Sequence, residues 1–157
     1  MTEDEIIEFV GGMAGVVAVT ADEASGAPEV AWGDTFFFYD PDGDVPTNRR
    51  QPFATIVTKD YQGFDTASQL DRPGVFRLNI SVTRDAFREL VGYTPAAHKG
   101  SSADVDYTAT DRLLPHPVYA PQSWLCVLNP GNETDAQVRF LLKEAWNRAA
   151  ERHTRRS

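Results

Sequence analysis

Two short stretches of the sequence hold the side chains best placed to do chemistry. From Val75 to Ser81 the residues alternate: Phe76, Leu78 and Ile80 face one way, and Val75, Arg77, Asn79 and Ser81 face the other. That period of two predicts a strand with one apolar and one polar face, with Arg77 and Asn79 side by side on the polar one. A guanidinium held on a strand presents a planar fork of donors that fits a carboxylate or another anion. The second stretch is Pro115-His116-Pro117-Val118-Tyr119, in which two prolines restrain an imidazole and a phenol follows. Such a histidine can donate or accept a proton near neutral pH, so His116 is the candidate general acid or base. Tyr61, Tyr119 and Trp124 join Arg77 and Asn79 as candidate ligand-binding residues, with Trp32 and Tyr93 as further aromatic walls. The competing reading of Arg77 is an internal ion pair with Asp60, Asp65 or Asp71.

Other chemistries find little support. The one cysteine, Cys126, lies between Leu125 and Val127 in a strand-like run, whereas activated thiolates sit at helix N-termini or beside cations. It reads as a buried structural thiol. Asp40-Pro41-Asp42-Gly43-Asp44 begins like a calcium loop, but the sixth and twelfth positions are Val45 and Gln51, where Gly and Glu are required. No strand precedes Gly11-Gly12, as a dinucleotide-binding turn would need. His98, His116 and His153 would have to converge with Asp104, Asp106 or Asp111 to hold a metal, and their spacing matches no ligand motif. Neither a metal nor a cofactor is expected.

The elements that must position these residues follow from periodicity and punctuation. Thr2 and Glu5 form a capping-box pattern ahead of an apolar stripe, predicting a helix over about residues 3 to 13. Val16 to Thr20, Glu29 to Tyr39 and Phe53 to Thr58 read as successive antiparallel strands, with Asp42-Gly43 as a two-residue hairpin turn. One helical turn is expected after Asp65. Thr83 and Gly92 bracket a helix through Phe87, Leu90 and Val91. Residues 93 to 122 are Pro-rich and irregular, with a short helical pattern over Thr108 to Leu114. A loop of that length in a compact domain is usually functional. Ser123 to Asn129 is the last strand. Thr134 and Gln137 repeat the capping box before a strongly amphipathic helix carrying Val138, Leu141, Leu142, Ala145, Trp146 and Ala149. Terminal helices bracketing a strand meander argue an α+β fold, an antiparallel sheet of five to six strands with both helices on one face.

The chain has 157 residues and reads as one domain, with residues 153–157 a frayed tail. It carries 15 basic and 23 acidic side chains, a net charge of −8. The first cation is Arg49, so the acidity belongs to the first third. That balance weighs against nucleic-acid binding, which favours basic surfaces. No run approaches the roughly 18 apolar residues of a membrane span, and the acidic start differs from a signal peptide, so a cytoplasmic protein is expected. Nothing specifies an oligomeric state.

Four runs carry a family resemblance: Glu29-Val-Ala-Trp-Gly-Asp-Thr-Phe-Phe-Phe-Tyr-Asp, Asp60-Tyr-Gln-Gly-Phe-Asp-Thr-Ala-Ser, Gly74-Val-Phe-Arg-Leu-Asn-Ile and Leu114-Pro-His-Pro-Val-Tyr-Ala. Together they resemble an uncharacterised, mainly actinobacterial domain-of-unknown-function family spanning nearly the whole chain. More distantly, the element order resembles MmcQ/YjbR-like proteins. That resemblance implies a compact double-wing α+β fold, with DNA binding suggested for some members. The sequence thus points first to a small α+β protein that binds a small polar or anionic molecule between the sheet and the 93 to 122 loop. The alternatives are a small enzyme of secondary metabolism using His116, and a protein- or nucleic-acid-interaction module.

Overall fold

The computed structural model describes residues 1–98 and 105–156. Six strands form one antiparallel sheet: β1 (Val16–Thr20), β2 (Thr35–Tyr39), β3 (Ala54–Val57), β4 (Arg77–Ser81), β5 (Leu114–Pro115) and β6 (Trp124–Leu128), in spatial order β1-β2-β3-β4-β6-β5. Three helices complete the fold: α1 (Glu3–Gly11), α2 (Arg84–Val91) and α3 (Asp135–Arg156). This is the α+β architecture expected. Among the described residues, no helix is long and apolar enough to cross a membrane.

Local chemistry explains the helix boundaries. Thr2 Oγ1 accepts the Glu5 N–H at 3.1 Å and Glu5 Oε1 accepts the Thr2 N–H at 3.0 Å, which closes the capping box of α1. The helix stops at Gly11, two residues before the expected end, where Gly12 caps it. Thr83 caps α2, and Gly92 ends it in the left-handed conformation at φ 99°. α3 is started differently from the expected box. The Thr134 hydroxyl donates to Asp111 Oδ1 at 2.6 Å, and the same carboxylate accepts N–H bonds from Gly131, Glu133 and Thr134. A remote aspartate therefore supplies the negative charge that this helix start favours.

One sheet face makes the main core. Phe37, Ala54, Ile56, Leu78, Ile80, Leu125 and Val127 cluster with Ile6 and Val10 of α1 and Val138, Leu141, Leu142 and Ala145 of α3. Each such side chain stabilises the fold by roughly 1.5–3 kcal/mol when fully buried, alanines less. α3 also clamps the N-terminal region: Trp146 Nε1 donates to Ala14 O at 2.8 Å, and the Arg139 guanidinium lies 4.9 Å over the Phe9 ring.

The other face is where the polar residues sit, and pairing register fixes their rows. Thr55 opposes Asn79, which opposes Cys126; Val57 opposes Arg77, which opposes Leu128. The segments 58–76 and 105–123 cover this face, with Leu70 packing on Val57 and Leu128. β4 is therefore buried on both sides apart from Ser81.

Several local expectations are corrected. Glu29–Ala31 is a single 3-10 turn, not strand. Asp40 to Asp44 is not a two-residue hairpin tip. The connection from β2 to β3 runs on to Phe53 through a 3-10 turn at Thr47–Arg49, because the Asp40 carboxylate folds it back by accepting from Val45 N and Arg50 Nη2. No helical turn follows Asp65. In place of the helical pattern over 108–114, Thr110 bridges to Leu128 and Leu114–Pro115 adds the short edge strand β5.

Candidate functional site

Arg77 is the largest fully buried side chain among the described residues. Its guanidinium grips Asp65 through both carboxylate oxygens, Nη1 to Oδ1 at 3.1 Å and Nη2 to Oδ2 at 2.6 Å. Nη1 also donates to Ser68 Oγ at 2.9 Å, and Nε donates to Asn79 Oδ1 at 2.8 Å. Asn79 in turn donates to Thr55 Oγ1 at 3.0 Å. Strand pairing brings Asn79 and Thr55 together, and the 58–76 segment delivers Asp65 and Ser68. Burial pushes the Asp65 carboxyl up, but the hydrogen bonds and charge of Arg77 outweigh it and hold the group below its ordinary range. Of the three aspartates that sequence offers as partners, the fold selects Asp65.

His116 completes this cluster. Its Nδ1 accepts the backbone N–H groups of Val118 at 3.0 Å and Tyr119 at 2.9 Å, which fixes the ring proton on Nε2. Nε2 lies 3.3 Å from Arg77 Nη2, so a donor meets a donor and the contact repels any second proton on the ring. Burial and the Arg77 charge lower its pKa to about 3. His116 is a neutral brace at neutral pH, holding the 116–119 turn against the sheet. Protonating Nδ1 would break both backbone bonds, so the geometry argues against a general acid or base role near pH 7.

The remaining sequence-nominated residues surround this cluster. Tyr119 is 44% exposed; its ring sits 5.0 Å from that of His116 and 6.0 Å from that of Phe64, itself 53% exposed. The Tyr61 hydroxyl donates to Asp34, and burial followed by that carboxylate raises its pKa. Asp34 is fully buried and also accepts from Thr58 N at 2.9 Å and Thr58 Oγ1 at 3.1 Å, tying β2 to the start of the 58–76 segment. Trp124 is half-buried at the start of β6, opposite Ser81. Cys126 is fully buried, and burial pushes its thiol up to about 12, so it is inert at neutral pH. Among the described residues no three His, Cys, Asp or Glu side chains are grouped to hold a metal; Asp104 lies outside those residues.

With this geometry in view, comparison with known proteins shows that residues 1–157 fit the model of a family of unknown function, DUF6194. The chain belongs to the DUF6194 family. No curated protein and no solved structure matches it.

A cavity of this DUF6194 member opens beside the Arg77 cluster rather than over it. It measures about 540 Å³, within the usual range for small-molecule sites, and lies where the start of α1, the end of β3 and the approach to β4 meet. Val75, Phe76 and Pro130 supply apolar wall; Glu3, Thr58, Arg72 and Asn129 supply polar groups. Partial burial, then Asp4 and Asp34, raises the pKa of Glu3, so a cation beside this carboxylate would relieve it. Arg72 is anchored on the carbonyls of Gln69, Ser68 and Thr108. The 58–76 segment thus has two jobs: its inner side seals Arg77 and its rim walls the cavity. Sequence reasoning missed Glu3 and Arg72, because an acidic residue in a helix first turn and an arginine in an aperiodic loop carry no signal of their own.

Proposed function

We propose that the protein is a binding module for a small polar molecule, taken up in the cavity between Glu3 and Arg72. The observation that carries this reading is a cavity of about 540 Å³ bearing a carboxylate and a guanidinium on apolar walls. A ligand with an amine for Glu3 and a carboxylate or similar acceptor for Arg72 matches that pair. In this reading Arg77, Asp65 and His116 form the scaffold that holds the 58–76 wall in place. A thermal-shift screen of small zwitterions and amines, followed by calorimetry on Glu3→Gln and Arg72→Ala, tests it. Hits should lose about tenfold or more in affinity in each variant. Hits indifferent to both substitutions overturn it.

A second reading rests on the exposed Phe64–Tyr119 pair, which offers a stacking surface for a planar polar-aromatic molecule at the edge of the 93 to 122 loop. Hits that survive Glu3→Gln and Arg72→Ala but fail with Phe64→Ala or Tyr119→Ala favour it. Neither reading requires catalysis.

A further inference from the structure

At the opposite end of the sheet from β4's start, cations from two distant parts of the chain converge on one small cleft. The 3-10 turn after β2 delivers Arg49 and Arg50, and α3 delivers Arg152 and His153, with Phe38 and Tyr39 of β2 as the floor. In a chain of net charge −8, whose first cation is Arg49, this clustering needs a cause. Cations on the last turns of a helix serve its dipole, which accounts for Arg152. It does not account for Arg49 and Arg50, which come from a loop more than a hundred residues earlier.

The facing charges do not cancel. Arg50 Nη2 pairs with Asp40 Oδ2 at 3.1 Å, and His153 Nε2 lies 3.9 Å from Asp42 Oδ2 on an exposed side chain. Glu151 turns to Arg155 at 3.6 Å. Among the described residues, Arg49 and Arg152 make no ion pair, so two guanidiniums remain uncompensated at the cleft. The Nε of Arg50 is moreover the one buried side-chain nitrogen or oxygen of the described residues without a hydrogen-bond partner. A buried donor without an acceptor is costly, and an oxygen acceptor drawn to this guanidinium would offset that cost. Arg50's guanidinium is already held in orientation, 5.5 Å over the Phe38 ring and tied to Asp40. The cleft volume is about 100 Å³, well below the roughly 300 Å³ and more of sites that enclose a drug-sized ligand, which suits a small group such as one tetrahedral oxyanion.

We propose that the cleft between Arg49, Arg50 and Arg152 is a binding site for a single phosphate group. Planar forks of guanidinium donors match tetrahedral oxyanions, and two uncompensated charges on an aromatic floor provide the attraction. The group can arrive as free phosphate or on a small phosphorylated molecule whose remainder stays in solvent. The site is separate from the Glu3–Arg72 cavity.

The test is calorimetric titration of the full chain, at constant ionic strength in chloride, with inorganic phosphate, glycerol phosphate and a short single-stranded oligonucleotide. Saturable phosphate binding is expected, weakened about tenfold by Arg49→Ala and by Arg152→Ala, both exposed positions whose loss leaves the fold intact. Arg50→Lys should weaken it too, by removing the fork. Glu3→Gln should leave it unchanged, which separates this site from the cavity. Glycerol phosphate binding more tightly than phosphate identifies the ester as the preferred source, and the reverse identifies the free ion. Absence of saturable phosphate binding overturns the proposal, as does affinity insensitive to Arg49→Ala and Arg152→Ala. So does oligonucleotide binding that is tighter than either and grows with length, which would mark an extended nucleic-acid surface.

Discussion

His116 makes folding stability depend on pH in a window where few other groups titrate. Its pKa is about 3 in the folded protein, against an ordinary value of 6.5. Between those values the unfolded chain binds a proton that the folded chain refuses, so stability falls as pH falls from 6.5 toward 3. One proton corresponds to about 1.4 kcal/mol per pH unit, so acidification from pH 6.5 to 5 should cost about 2 kcal/mol, and the full span roughly 5. Asp65 acts in the same direction but lower: its contribution is present above the unfolded aspartate pKa and is lost as pH falls through its depressed folded value. The interval from pH 6.5 to 5 therefore lies above the Asp65 transition, and subtracting the profile of a variant without His116 removes the opposing contribution of Glu3, whose carboxyl is raised. Urea titrations at half-unit steps across it measure the slope directly. His116→Asn is the decisive comparison, because an Asn carbonyl can accept from the N–H two residues on, as Nδ1 does here, without titrating. The variant should fold and lose most of the slope. A flat wild-type profile, or an equal slope in His116→Asn, would refute the assignment of His116 as a neutral brace.

Three further outcomes follow from the same geometry. Arg77→Ala or Asp65→Asn leaves a buried partner uncompensated and should cost about 3–5 kcal/mol, a fall of roughly 6–20 °C in Tm by scanning calorimetry. Asp111→Ala strips the start of α3 of its carboxylate acceptor and should cost about 2 kcal/mol in urea unfolding, with Asp111→Asn milder because one oxygen acceptor remains. Cys126 should resist a thiol reagent in native buffer and react at once in denaturant, since it is fully buried with its thiol pushed up to about 12; fast native labelling would contradict its place in the sheet.

Much of this protein is written in local sequence. The Thr2–Glu5 capping box, the Thr83 and Gly92 brackets and the alternation through β4 identify α1, α2 and β4 because each depends on residues within one turn or one strand. The position of Arg77 and Asn79 on one face follows from the period of a strand in the same way. What that face meets does not. Arg77 finds Asp65 and His116 only because the 58–76 and 105–123 segments, neither with a repeating period, fold over the sheet. The Thr134 box shows the same limit, since the side chain that serves α3 comes from Asp111, 23 residues earlier. Acidic and basic ends give a third case: α3 meets α1 through Arg139 over Phe9, while Arg152 and His153 near its far end meet the loop after β2, away from Glu3 to Glu8. Sequence by itself determined the three helices, the longer strands and which side chains share a face on β4, because hydrogen bonds and periodicity there span only a few residues. Tertiary structure alone decided that Arg77 is sealed rather than open, that His116 is neutral rather than titrating, and that Glu3 and Arg72 share a cavity. Each of those properties depends on burial and on charges brought close by loops, and neither is encoded at any fixed spacing along the chain.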